Sequence, residues 1–199
     1  MNQSRISDLI QVVCGQQLNN HSPDIETAYL ELINHGEVAI EPVYTALQTA
    51  ELESRHTLAS ILCDILVEVG DNDAFNLLQQ LVDSNDNALF SPAIRALARF
   101  QHSQIDVILC NLLDHPAPQV RRVVAWQLGR NRAAMAFMPL LSHLRESDVE
   151  TLRGIIWSLG RLGNSNAIPA IQPFVYHKQE DIAFIAREAL QRIQSMTIA

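Results

Sequence analysis

Lysine is almost missing from this 199-residue chain: Lys178 stands alone among 14 basic residues, the rest being arginine. Positive charge is therefore displayed on planar guanidinium groups, which suit carboxylates and aromatic faces. Cysteine is scarce as well. Cys14, Cys63 and Cys110 are odd in number, far apart and without a C-x-x-C pair, which argues against a disulfide framework or a zinc knuckle and leaves them as small buried hydrophobes. There is no long apolar run, and the first twenty residues carry Asp8 and many amides instead of a cleavable signal pattern. Neither export nor membrane insertion is indicated, and a cytoplasmic protein is expected.

Motifs for catalysis are missing too. The histidines His21, His35, His56, His102, His115, His143 and His177 fall mostly in turns or at helix ends and form no H-x-x-x-H or H-E pair, so the close spacing of a helix-borne metal site is not present. No glycine-rich phosphate loop or nucleophile elbow occurs. No catalytic residue, metal or cofactor is expected, although a site assembled from distant residues stays open. Low-complexity segments, long linkers and strand-like alternation are likewise lacking.

What is present is a core and a charge asymmetry. With 48% hydrophobic residues the chain can bury substantial apolar surface. Residues 1–90 hold 14 acidic and 2 basic side chains, a net of −12, whereas residues 91–199 hold 8 and 12, a net of +4. The two ends carry opposite fields, which allows head-to-tail self-association and favours an acidic protein partner near the C-terminal half. A net of +4 offers little counterion release, so nucleic acid is not expected as a ligand, nor is a membrane.

The chain also repeats itself. RVVAWQLGR at Arg122–Arg130 returns as RGIIWSLGR at Arg153–Arg161, 31 residues later. Steps of 31 from Leu128 reach Leu97 and Leu66 backwards and Leu159 and Leu190 forwards, and a step of 34 from Leu66 reaches Leu32. Apolar residues stand four before each leucine (Ala28, Leu62, Ala93, Val124, Ile155, Ala186) and, apart from Arg187, three before each, which marks one face of a helix. Gly129 and Gly160 follow their leucines, where a neighbouring helix can come close or the helix can end.

A second set of helices is expected from near Glu41-Pro42, Asn72-Asp73, Gln104, Ala133 and Asn166. Turns fall at Asn34-His35-Gly36, Gly70-Asp71-Asn72, His115-Pro116 and Gly163-Asn164-Ser165, and Pro42, Pro139 and Pro169 are expected early in their helices. Five helix pairs result, with an unpaired helix from about Ile182 to Gln194. Residues 1–20 read as an N-terminal capping helix through Ile6, Leu9, Ile10 and Val13, and Ser22-Pro23 suits the next helix start. Residues 21–199 then form one continuous domain. Units of this size bury their apolar stripes only by stacking.

On a wheel turning about 100° per residue, the position two before each leucine lies near 160° from it, pointing outward. Trp126 and Trp157 occupy it, flanked at four residues by Arg122 and Arg130 and by Arg153 and Arg161. Two readings stay open: an aromatic and basic partner-binding patch, or rings that fill the groove between consecutive outer helices under arginine stems. The inner helices of a stacked array line a concave recognition face, whose polar positions are Gln48, Gln79, Gln80, Asp83, Asn111, Asp114, His143 and Tyr176. The last helix has apolar residues on more than one side (Ile182, Phe184, Ile185, Leu190, Ile193), so either the tail Ser195–Ala199 folds back over it, another chain docks there, or it is left partly exposed.

LLDHPAPQVRRVVAWQLGRN, followed by VETLRGIIWSLGRLGNSNAIPAIQPFV, resembles HEAT-type repeats, in particular the short subclass named after phycobilisome lyases. Asp114, Val120, Arg121, Ala125, Leu128, Gly129 and Pro139 match that pattern, while Leu152 and Ala183 stand where later repeats would carry its arginine. A full-length repeat without a recognisable reaction centre points to a non-catalytic scaffold, adaptor or assembly factor, and the resemblance implies an all-α, right-handed α-solenoid of about five helix pairs plus terminal helices. It also implies an alternative, a subunit of a heterodimeric phycobilin lyase or a phycobilisome-remodelling factor, with a second HEAT-repeat subunit as partner and a bilin as possible cofactor. In that case Arg121 or Arg153 would hold bilin propionates.

Overall fold

The computed structural model describes residues 2–15, 23–84, 86–100, 102 and 104–198, and every regular element among them is helical. Residues 1–101 form one compact unit and residues 102–199 another. The first unit contains α1 (Asn2–Val13), α2 (Ile25–Asn34), α3 (Glu37–Thr49), α4 (Leu52–Val69), α5 (Asn72–Asp83) and α6 (Phe90–Arg99). The second contains α7 (Ile105–Asn111), α8 (Pro118–Asn131), α9 (Phe137–Ser142), α10 (Val149–Leu162), α11 (Ile168–Ile171) and α12 (Glu180–Ile198), with short 3₁₀ turns at Leu112–Asp114, Ala134–Ala136, Ser165–Ala167 and Gln172–Tyr176. The element order is the expected one: a leading helix, five pairs and a last helix. The expected boundary at residues 20 and 21, and Ser22 as a helix start, lie outside the described residues.

Local chemistry sets the helix ends. Asp24, Asp71 and Asp148 each accept a backbone N–H three residues on, from Thr27 at 2.7 Å, Ala74 at 2.7 Å and Thr151 at 2.8 Å, which satisfies an orphan donor at the start of α2, α5 and α10. Gly70 and Gly163 end α4 and α10 at φ 69° and 71°, a left-handed conformation that costs a side-chain-bearing residue energy. Pro139 and Pro169 lie in the first turn of α9 and α11. Pro42 does not. Because α3 starts at Glu37, directly after Gly36, this proline falls inside the helix, several residues beyond the expected start near Glu41.

The register leucines make the interior of each unit. Leu32, Leu66 and Leu97 in the first, and Leu128 and Leu159 in the second, are 0–1% exposed, with Leu190 at 7%. All six residues four positions earlier are fully buried. In the second unit the first helices α8, α10 and α12 pack successively, and the glycines allow very close contact. A Cβ on Gly129 would lie 2.3 Å from Ser158 Oγ, and one on Gly160 would lie 2.7 Å from Ala189 Cα. Gly129 and Gly160 are therefore packing glycines within helices, not helix terminators. Two buried hydroxyls join α10 to the carbonyls of α8: Ser158 Oγ donates to Ala125 O at 2.6 Å and Thr151 Oγ1 to Pro118 O at 3.2 Å.

The last helix is longer than expected and ends the second unit with a largely polar outer side. It buries Ile182, Ala183, Ala186, Ala189, Leu190 and Ile193, and exposes Asp181, Arg187, Glu188, Gln191 and Gln194 together with Phe184. Residues 195–198 do not fold back, since the helix continues to Ile198.

Candidate functional site

The tryptophans occupy the position two before the register leucine, but they are half-buried, not outward-facing. Trp126 and Trp157 pack on each other with ring centroids 4.6 Å apart at 46°, a tilted arrangement favoured by the ring quadrupoles. Trp126 also lies over Gly154 of α10: a Cβ there would sit 3.1 Å from its Cδ1 and Nε1. A helical wheel treats each helix alone. Here the neighbouring first helix closes on that side, so the 160° position becomes a groove between α8 and α10.

The arginines divide. Arg161 stacks over Trp157 at 5.5 Å from the ring centroid, whereas Arg153 turns away to Glu150 at 2.9 Å. Arg122 is half-buried and Arg130 exposed. The expected trios are thus not two equal cation–π clusters. Arg121 is committed elsewhere: it holds Glu146 at 2.8 and 3.1 Å and donates to the carbonyls of His115 and Pro116, each at 2.9 Å. These bonds hold the Glu146 carboxyl below its ordinary value.

The second helices carry a more ordered surface. Glu41, Thr45 and Gln48 on α3 are exposed at i, i+4 and i+7, and a step of 35 gives Asn76, Gln80 and Asp83 on α5, again exposed. From there, steps of 31 give Val107, Asn111 and Asp114, then Met138, Ser142 and Arg145, then Pro169, Pro173 and Tyr176; all nine are exposed. This spacing is one stripe of a helix. Gln48, Gln80, Asp83, Asn111, Asp114 and Tyr176 therefore lie on this exposed stripe. Gln79 and His143 do not: both are half-buried. His143 instead lies between the Pro139 carbonyl, 2.8 Å from Nδ1, and Asp114, 3.1 Å from Nε2.

Within residues 1–101 the stripe is wholly polar. Within residues 102–199 it carries Val107, Met138 and Tyr176, exposed by 42%, 65% and 86%, with two prolines and Arg145. Val107, Met138 and Arg145 lie on the stripe outside the expected set, the first two because they carry no polar side chain. The signal was available: Arg145 lies one repeat step from both Asp114 and Tyr176. Among the described residues no group of three or more His, Cys, Asp or Glu could hold a metal ion, and no helix is long and apolar enough to cross a membrane.

Residues 105–191 match the family model described as HEAT repeats. The comparison with curated proteins found no match. Among solved structures, the complex of CpcE and CpcF of phycocyanin lyase from Nostoc is similar, with 23% identity and a TM-score of 0.59 over 78% of this chain and 65% of that one. An engineered protein is similar at 17% identity and a TM-score of 0.56, covering 98% of both chains. A designed armadillo repeat protein in complex with the peptide (KR)4 is similar at 16% identity and a TM-score of 0.56, over 94% of this chain and 99% of that one. Residues 105–191 are thus similar to HEAT repeats, and the fold is that of an all-α solenoid.

Proposed function

We propose that the protein is a non-catalytic adaptor or assembly factor that holds another protein on the exposed stripe of its second helices in residues 102–199. The observation that carries this reading is the change in that stripe from wholly polar to one bearing Met138, Tyr176, Val107 and two prolines. Large apolar and aromatic side chains repeated in register on a solvated face are the composition of binding hot spots, and rigid rings and prolines lose little entropy when covered. Arg145 has no carboxylate partner among the described residues. It sits in a unit holding 10 basic against 8 acidic residues, which supports a partner with an acidic surface, a second repeat subunit included. The tryptophans serve chiefly to fill the α8–α10 groove, with Arg161 over Trp157.

The test is capture from native lysate by the wild type and by a Met138→Ala, Arg145→Ala, Tyr176→Ala triple variant, with folding checked by circular dichroism. The triple variant is expected to lose a partner that a Gln80→Ala, Asp83→Ala variant keeps. A partner retained by the triple variant, or no protein captured by the wild type, contradicts the reading. The alternative, a phycobilin lyase subunit or phycobilisome-remodelling factor, is supported by the fold shared with the CpcE–CpcF complex. Arg121 would not supply its bilin contact, being bound to Glu146. Mixing the protein with phycocyanobilin, alone and with a second repeat subunit, separates the two: a shifted absorbance spectrum favours the lyase, an unchanged one the adaptor.

A further inference from the structure

In residues 1–101 the first helices α2, α4 and α6 meet at a polar cluster that the partner-binding stripe does not use. Asp64 of α4 accepts the Tyr29 hydroxyl of α2 on Oδ2 and Nη1 of Arg99 from α6 on Oδ1, the latter at 2.6 Å. Beside this tie opens a cavity of about 190 Å³. Arg95, one helical turn before Arg99, lines it and has no ion-pair partner among the described residues. Arg99 spends one of roughly five N–H donors on Asp64. Ser60 and the small, buried Cys63, Pro92 and Ala96 complete the lining. Burial, and then the Asp64 charge, push the Cys63 thiol up to about 12, so Cys63 brings no competing anion at neutral pH.

We propose that this cavity binds a carboxylate, held by Arg95 and the uncommitted edge of Arg99, with its adjoining methylene against Pro92 and Ala96. Charge selects the class. Arg95, Arg99 and Asp64 together carry one positive charge, which one carboxylate cancels. Arg95 and Arg99 are exposed, and a phosphate dianion would leave one negative charge at the surface of a unit that already holds 14 acidic and 4 basic residues. Guanidinium groups also match a carboxylate in plane and spacing. Joining three helices accounts for Tyr29, Asp64 and Arg99, but not for a second guanidinium on the same cavity.

The experiment uses the full chain and follows the Nε–H resonances of Arg95 and Arg99 by NMR as sodium acetate replaces sodium chloride at constant ionic strength. Both signals are expected to shift saturably with acetate, and more weakly with phosphate. Arg95→Gln should lower the apparent acetate affinity about tenfold or more while leaving the circular dichroism unchanged. A short peptide with blocked ends and a single glutamate distinguishes the sources. Saturation below the acetate concentration assigns the site to a side chain of a partner protein, and saturation by acetate alone assigns it to a small free carboxylate. The proposal is overturned if acetate moves these resonances no more than chloride does, or if Arg95→Gln binds acetate like the wild type.

Discussion

Gly129 shows how one missing side chain sets the distance between two helices. The space a Cβ would need is filled by Ser158, whose hydroxyl is fixed 2.6 Å from the Ala125 carbonyl. A methyl group there must push α10 away or break that bond. Gly129→Ala is therefore expected to lower the unfolding free energy by about 2–3 kcal/mol, read from urea denaturation. Adding Ser158→Gly should restore part of the loss by vacating the same space, and a single-variant change within about 0.5 kcal/mol, the usual surface range, would show that the helices are not in this contact. The sequence pointed to Gly129 and Gly160 as either close-approach or terminating glycines. It could not choose, since the choice depends on Ser158 and Ala189, which stand on other helices. The tryptophans left two readings open for the same reason, a partner patch or a filled groove: the wheel gives an angle, and only the neighbouring helix decides whether that angle faces water.

At the scale of elements, α8 is tied to the turn ahead of α10 by Arg121 and Glu146, the latter only 6% exposed. Arg121 lowers the Glu146 pKa from its ordinary 4.5, which fixes the sign of the pH effect. The folded carboxyl ionises more readily than the unfolded one, so its contribution is complete above about 4.5 and is lost as the pH falls through the lower folded value. Glu146→Gln should cost about 2 kcal/mol or more at pH 7, since it leaves Arg121 without its charge partner, and the gap between variant and wild type should close on acidification. Denaturant melts at neutral and acidic pH check both; a gap independent of pH would mean that the pair adds nothing electrostatic. The first helices were legible because leucine every 31 residues is a signal no turn interrupts. The second helices were legible as elements but not as surfaces. Their exposed stripe mixes Met138, Arg145 and Tyr176 with amides, and a search for polar residues discards part of it. Pro42 misled the start of α3 because proline usually marks a first turn, while Gly36 had already begun the helix.

The whole molecule uses one sequence period for two purposes. One face of every repeat, at Leu66, Leu97, Leu128 and Leu159, is spent on the interior, and another, at Gln80, Asn111, Met138 and Tyr176, stays in water. The tryptophan pair and the Tyr29–Asp64–Arg99 cluster show that the outer grooves vary while the leucine register does not. The most direct measurement is a denaturation series on two sets of single alanine variants of the intact chain: the four leucines, and Gln80, Asn111, Met138 and Tyr176. Each leucine variant should lose about 2–5 kcal/mol and each stripe variant no more than about 0.5 kcal/mol. Stripe substitutions as costly as the leucines, or leucine substitutions costing less than about 1 kcal/mol, would contradict the division of the repeat into an interior face and a free one.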